Sequence, residues 1–218
     1  MITEKDSSPT SPVAQSAPLA PPGYPAAIPN SSDLHSLHSV MVRCTRCSLS
    51  LDRTRVVPGS GNQRANIFFV GEAPGASEDR EGIPFVGASG RLLDLMLEGA
   101  GIRRADVFIA NVVRCRPQQN RNPRAGEIAA CSGWLLEQLR LVDPAFVATL
   151  GSFALRYFLP DAKVTRQQAL VTNLEFAERS LRLFPLLHPA AILRNPRLRP
   201  EYQEQFRTLA TLVDESVR

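Results

Sequence analysis

The sequence predicts an α/β fold built on a parallel sheet, and three observations lead there. Short apolar runs alternate with segments of helical period, the strand-then-helix order recurs four times, and 218 residues suit one domain with a tail beside it. Parallel neighbours need right-handed crossovers, so helices are expected on both faces of the sheet. A hydrophobic fraction of 44% is enough to fill a core, which argues against disorder throughout.

Taken in order, residues 1–32 carry Pro9, Pro12, Pro18, Pro21, Pro22, Pro25 and Pro29 among Ser and Ala. They have almost nothing to bury, so this stretch is expected to be a disordered tail, with one folded domain over residues 33–218. Ile67-Phe68-Phe69-Val70 reads as a buried strand, followed by a helix around Arg91 to Leu97 that stops at Gly99-Ala100-Gly101. Val107 to Ala110 reads as the second strand, and Glu127 to Leu141 as a helix whose entry is marked by Asn122-Pro123. Phe146 to Leu150 is the third strand and leads through Gly151-Ser152 into a helix from Phe153 to Leu159. Leu183 to Leu187 is a fourth strand in which Pro185 suits an edge position. Irregular or hairpin structure is expected over residues 161–181, and a helix from Tyr202 to Val213 closes the chain.

The formal charge of +4 is mild, but only Lys5 and Lys163 are lysines, so nearly all basic residues are arginines able to grip phosphate with a planar fork. Nucleic acid is a reasonable partner on that ground, and a plain compositional bias toward arginine accounts for the same numbers. Glu4, Asp6, Ser7 and Ser8 stand where a leader would be basic, and no run approaches the ~18 apolar residues of a membrane span. A cytoplasmic protein without membrane association is expected. Its cysteines then suit a metal or cluster better than disulfides.

In open parallel sheets, ligands bind beyond the carboxyl ends of the strands. The polar residues at those ends are Glu72, Asn111, Ser152 and His188. Gly71-Glu72-Ala73-Pro74-Gly75 makes a tight loop whose backbone amides can approach a ligand. Phe85, among the turn formers of Ile83-Pro84-Phe85-Val86-Gly87, is either a local core plug or a flat surface for stacking a base. Asn111 lies in an apolar strand and needs a partner, either a neighbouring loop or a base edge. His188 could stabilise negative charge at the mouth of the crevice. Cys44-Thr45-Arg46-Cys47, then Cys115 and Cys131, form a chelating pair and a wide pair that suit zinc or an iron–sulfur cluster. Arg43, Arg46, Arg114, Arg116, Arg121 and Arg124 around them read as a solvated basic face or a phosphate-gripping one, and Arg194, Arg197 and Arg199 form a second group.

Together, Gly71 to Gly75, Pro84 to Gly87, Asn111 to Pro117, His188-Pro189-Ala190 and the four cysteines closely resemble the family 4 uracil-DNA glycosylases, over about residues 41–210. The resemblance implies a three-layer α/β/α sandwich with a central four-stranded parallel sheet. It implies a structural [4Fe–4S] cluster on Cys44, Cys47, Cys115 and Cys131. It also implies uracil-containing DNA, single- or double-stranded, as substrate, and a monomer working at the nucleoid. Within it, Gly71 belongs to the uracil-binding loop, Phe85 stacks on the flipped base, Asn111 takes its polar edge, Glu72 faces the water and sugar, and His188 faces the charge growing on O2.

Two departures matter. More distant members carry an aspartate where this loop has Ala73, so general-base activation of water is less secure and Glu72 is expected to aid water placement. They also carry a methyl-excluding tyrosine where this chain has Gly75, and Glu78 is the candidate to fill that space. Leu193 or Arg194 is expected to wedge into duplex DNA, with Arg197 beside them on the phosphates. The competing readings are a relative that captures uracil without turnover and a non-enzymatic iron–sulfur DNA-binding module. The first is disfavoured because no basic, histidine-containing insertion interrupts Arg114-Cys115-Arg116-Pro117. An iron–sulfur oxidoreductase lacks its Gly-rich dinucleotide loop.

Overall fold

The computed structural model describes residues 28–217. Of the expected tail, residues 1–27 lie outside the described residues, while within 28–32 Ile28 and Ser31 are half-buried. The chain there runs against the helix α4 (Ala125–Val142), with Ile28 seated on Gly133 and Ser31 bonded to Glu137 and Arg140. The folded part therefore starts earlier than the proline-rich composition suggests, because Ile28 supplies one apolar anchor and α4 supplies charged partners for the backbone.

The first helix, α1 (Leu34–Met41), has Asp33 as its N-cap accepting from the Ser36 amide, and buries Leu34, Leu37 and Met41 on one face. The strands β1 (Ser60–Gly61), β2 (Ile67–Gly71), β3 (Phe108–Asn111), β4 (Phe146–Leu150), β5 (Thr172–Phe176) and β6 (Arg179–Leu186) make one sheet in the order β1-β3-β2-β4-β6-β5. The four inner strands are parallel, as expected, but β1 and β5 add an antiparallel strand at each edge. The sheet is thus six-stranded and mixed, not four-stranded and purely parallel.

Pro185 does not mark an edge strand, since β6 lies between β4 and β5. The last β5 residue paired with β6 is Thr172, opposite Leu183, and the Pro185 carbonyl accepts instead from the Ala169 amide. In a strand the N–H and C=O of one residue point the same way, so the missing N–H falls beyond the end of β5, where no ladder bond is lost.

Alternation along the strands builds two cores. Phe68 and Val70 of β2 pack with α1, α4 and α5 (Ser152–Phe158), while Ile67 and Phe69 pack with α3 (Ala88–Glu98), α7 (Pro189–Arg194) and α8 (Arg199–Val217). Two helical layers enclose the sheet, and the short α2 (Ala76–Glu81) and α6 (Val164–Gln167) connect elements at its ends. No helix among the described residues is long and apolar enough to cross a membrane.

Candidate functional site

The carboxyl ends of β2, β3 and β6 open into a cleft of about 650 Å³ whose lining includes Glu72, Glu78, Phe85, Asn111, His188 and Arg194. Of the four strand ends expected to meet, Ser152 is absent from that lining: α5 begins at Ser152 itself, and its side chain is exposed to solvent. Leu193 and Arg197 are exposed outside the lining, Leu193 on α7 and Arg197 on the following turn Pro196–Leu198.

Gly71, expected in the uracil-binding loop, is buried under the site and absent from the cleft lining. A Cβ there would stand 2.4 Å from Asn111 Oδ1 and 2.7 Å from the Phe85 ring, so only glycine lets both side chains close over β2. Phe85 adopts φ 53, a conformation that costs a non-glycine residue about 1 kcal/mol or more. Gly90 of α3 makes room for it, because a Cβ there would fall 1.8 Å from the Phe85 carbonyl oxygen. The Phe85 ring packs into the core and also faces the cleft, with its centroid 5.9 Å from that of His188.

Asn111 is buried, and its Oδ1 has no hydrogen-bond partner. An acceptor left this way in the wall of a cleft is a place for a ligand's N–H. His188 caps α7, its Nδ1 accepting from the Ala190 amide at 3.1 Å. Burial and the Arg194 charge hold its imidazolium down to about 4, so near pH 7 it is neutral and its proton sits on Nε2. Burial raises the Glu72 carboxyl above its ordinary value, partly offset by Arg156.

Glu78 lines the cleft but spends its carboxylate on backbone. Oε1 accepts from the Val86 and Gly87 amides at 3.0 and 2.9 Å, and Oε2 from Gly75 at 3.1 Å. It clamps the Gly71–Gly75 loop to the Phe85 loop, a role that residue spacing did not reveal.

Arg121, expected only as part of a basic face, joins Pro117, Asn120 and Asn122 on one wall, and Ala88 and Ser89 at the start of α3 stand on another; none of these was expected to line the cleft. Arg121 is held bidentately by Glu127, whose own carboxyl is pulled down to about 2 by that contact. Arg114 departs furthest from the expected basic face: it is buried beneath the site, donating to the Asn111 carbonyl and to Gln138.

Cys44 and Cys47 flank the loop after α1, Cys115 follows β3 and Cys131 sits in α4; none is in a disulfide. Charge on Cys47 or Cys44 acts on Cys115, and charge on Cys115 or Cys47 acts on Cys131, so the four thiols share one electrostatic neighbourhood. Burial pushes the Cys131 thiol up to about 12. Arg53 Nη1 donates to Cys115 Sγ and the Arg114 amide to Cys131 Sγ, both at 3.3 Å. Among the described residues no three His, Cys, Asp or Glu side chains close around a single ion. An all-thiol set with N–H donors on two of its sulfurs is a donor set suited to a soft metal or an iron–sulfur cluster.

This three-layer α/β fold, with an amide, a carboxylate and a neutral imidazole at its strand ends and an aromatic on the loop between α2 and α3, has a ligand cleft of the kind α/β enzymes carry, and sequence comparison gives the class its name. Residues 58–210 match the uracil DNA glycosylase superfamily, and the chain belongs to that family. A type-4 uracil-DNA glycosylase of Archaeoglobus fulgidus is 40% identical, the match covering 79% of this chain and 89% of the relative. One from Thermotoga maritima is 44% identical over 70% of this chain and 79% of its own length. A type-5 uracil-DNA glycosylase of Pyrobaculum aerophilum is 38% identical over 48% of this chain and 53% of the relative.

Proposed function

We propose that the chain removes uracil from DNA by hydrolysing the N-glycosidic bond, leaving free uracil and an abasic site. The observation that carries this reading is the unpartnered Asn111 Oδ1 beside the Phe85 ring. Uracil offers an N3–H to that acceptor, and the Asn111 NH₂ can donate to its O4. Cytosine presents the reverse pattern, so with the amide held in this orientation it would leave the buried carbonyl unpaired, at a cost of about 1–3 kcal/mol. A base out of the duplex lies on the Phe85 ring.

Bond cleavage places positive charge on the sugar and negative charge on the departing ring. The neutral His188 has its Nε2–H free to donate to O2 as that charge grows. Glu72, at the end of β2, stabilises the oxocarbenium-like sugar and positions the attacking water. With Ala73 next in the loop, no second carboxylate is adjacent to activate that water. The mechanism is therefore electrostatic, and the preformed dipoles supply most of the acceleration.

Leu193, 45% exposed on α7, is our choice for the wedge that fills the vacated position, with Arg194 and Arg197 on the neighbouring phosphates. Cys44, Cys47, Cys115 and Cys131 would hold a [4Fe–4S] cluster, which when bound braces the loops around the cleft and supplies no redox step.

The test is incubation of the purified protein with a uracil-containing strand, followed by alkali. Scission at uracil is expected; an intact strand that stays bound would show capture without turnover and end the proposal. Asn111→Ala should lower kcat/KM by about tenfold or more, the worth of a hydrogen bond left unmade in a buried site. Leu193→Ala should slow release from duplex more than from single strands, and equal losses on both would remove it as the wedge.

A further inference from the structure

Beneath the cleft lies a polar chain that the mechanism does not use. Arg114 is 1% exposed, the bulkiest of the fully enclosed side chains. Its Nη1 donates to the Asn111 carbonyl and its Nη2 to Gln138 Oε1 at 2.6 Å, while Nε has no partner. Gln138 is itself fixed, since Nε2 donates to the Pro58 carbonyl at 2.6 Å and lies 2.8 Å from His38 Nε2. The series joins α1, which precedes the first cysteine pair, to α4, which carries Cys131, and to the last residue of β3.

An enclosed guanidinium is costly unless an anion compensates it. Among the described residues no carboxylate pairs with Arg114; the groups whose charge acts on it are the thiols of Cys131 and Cys115 and the Tyr157 hydroxyl. The Arg114 amide also donates to Cys131 Sγ. Left as neutral thiols, these neighbours give the cation nothing. An iron–sulfur core on four thiolates is a net anion, and it fits the missing charge.

We infer that Arg114 is a positioning residue: its enclosed guanidinium is the counter-ion of the loaded cysteine site and, by holding the Asn111 carbonyl, sets where the Asn111 amide meets the base. This rests on the glycosylase reading above for what Asn111 does, but the counter-ion part stands apart from it. Loading of the cysteines and reading of uracil are then coupled through one side chain.

The experiment uses the full chain with its iron retained, comparing Arg114→Met, Arg114→Lys and Gln138→Met. Two readouts are taken: the rate at which a strong iron chelator bleaches the visible absorbance, and inhibition by free uracil. Arg114→Met should bleach about tenfold faster and bind uracil about tenfold more weakly, the loss of one charge-assisted hydrogen bond within a buried network. Arg114→Lys should keep the slow bleaching, because it keeps the charge, and lose uracil affinity, because one ammonium cannot span Asn111 and Gln138. Gln138→Met should show weaker uracil binding with the chelation rate little changed.

Bleaching of Arg114→Met at the wild-type rate would overturn the counter-ion role, and unchanged uracil inhibition in all three variants would overturn the positioning role. If Arg114→Met does not fold, the split between charge and geometry in the other two decides. If the wild-type chain releases no uracil from DNA, the glycosylase reading fails, and the counter-ion role is judged on bleaching alone.

Discussion

Gly71 shows how much of a site can depend on an absent side chain. The spacing of 2.4 Å to Asn111 Oδ1 and 2.7 Å to Phe85 leaves no room for a methyl group. Gly71→Ala should therefore displace the amide or the ring while the sheet persists. We expect a loss of at least about tenfold in uracil release, with the unfolding midpoint lowered by a smaller, overpacking-type cost of about 1–3 kcal/mol. Full activity in this variant would mean that Asn111 and Phe85 need not lie against β2. Residues at or just beyond the ends of apolar strands, Glu72, Asn111 and His188, were legible in the sequence because the strand pattern says where each strand ends. Arg114 was not: an arginine between cysteines looks solvated, and only the packing of α4 over β3 encloses it. That Arg121 and Asn120 reach the cleft was not legible, because they come from a loop whose path is set by tertiary contacts, including the Arg121–Glu127 pair.

At the scale of elements, the parallel strands were readable because both of their faces are apolar; β5 was anticipated only as irregular or hairpin structure over residues 161–181, and β1 not at all. β1 is Ser60–Gly61, two residues that pair with β3 through backbone alone, so no side-chain pattern announces it. The β5–β6 hairpin turns on Ala177 and Glu178, with φ 49 and 61. That is the conformation of a two-residue turn that favours Asn-Gly, and neither residue present signals it. Replacing Ala177 with Asn and Glu178 with Gly together should relieve strain and raise stability by about 1 kcal/mol, read as a higher thermal midpoint with unchanged uracil release. A lower midpoint would show that the turn is held by contacts of the present side chains. α7 was not foreseen as a helix because it is six residues long, yet its start carries a signal, Pro189 in the first turn after the His188 cap.

For the molecule as a whole, two half-buried histidines make folding sensitive to acid. Burial and the Arg114 charge hold His38 down to about 4, and burial with Arg194 does the same for His188, against 6.5 in the unfolded chain. Because the folded values are depressed, the stability these groups contribute is complete above pH 6.5 and is lost as pH falls toward about 4. Thermal melts should be flat from neutral pH down to about 6.5 and then decline, and His188→Gln should reduce the slope of that decline. An equally steep slope in the variant would assign the acid sensitivity to other groups.

The clamp that Glu78 makes across two loops, with Phe85 locked over Gly90, means that the recess is finished before any nucleotide arrives. A receptacle already in its final shape has no closing movement with which to judge what enters it. Telling uracil from its methylated counterpart must then rest on fixed clearances, and heat that loosens the two loops should erode fidelity before it erodes turnover.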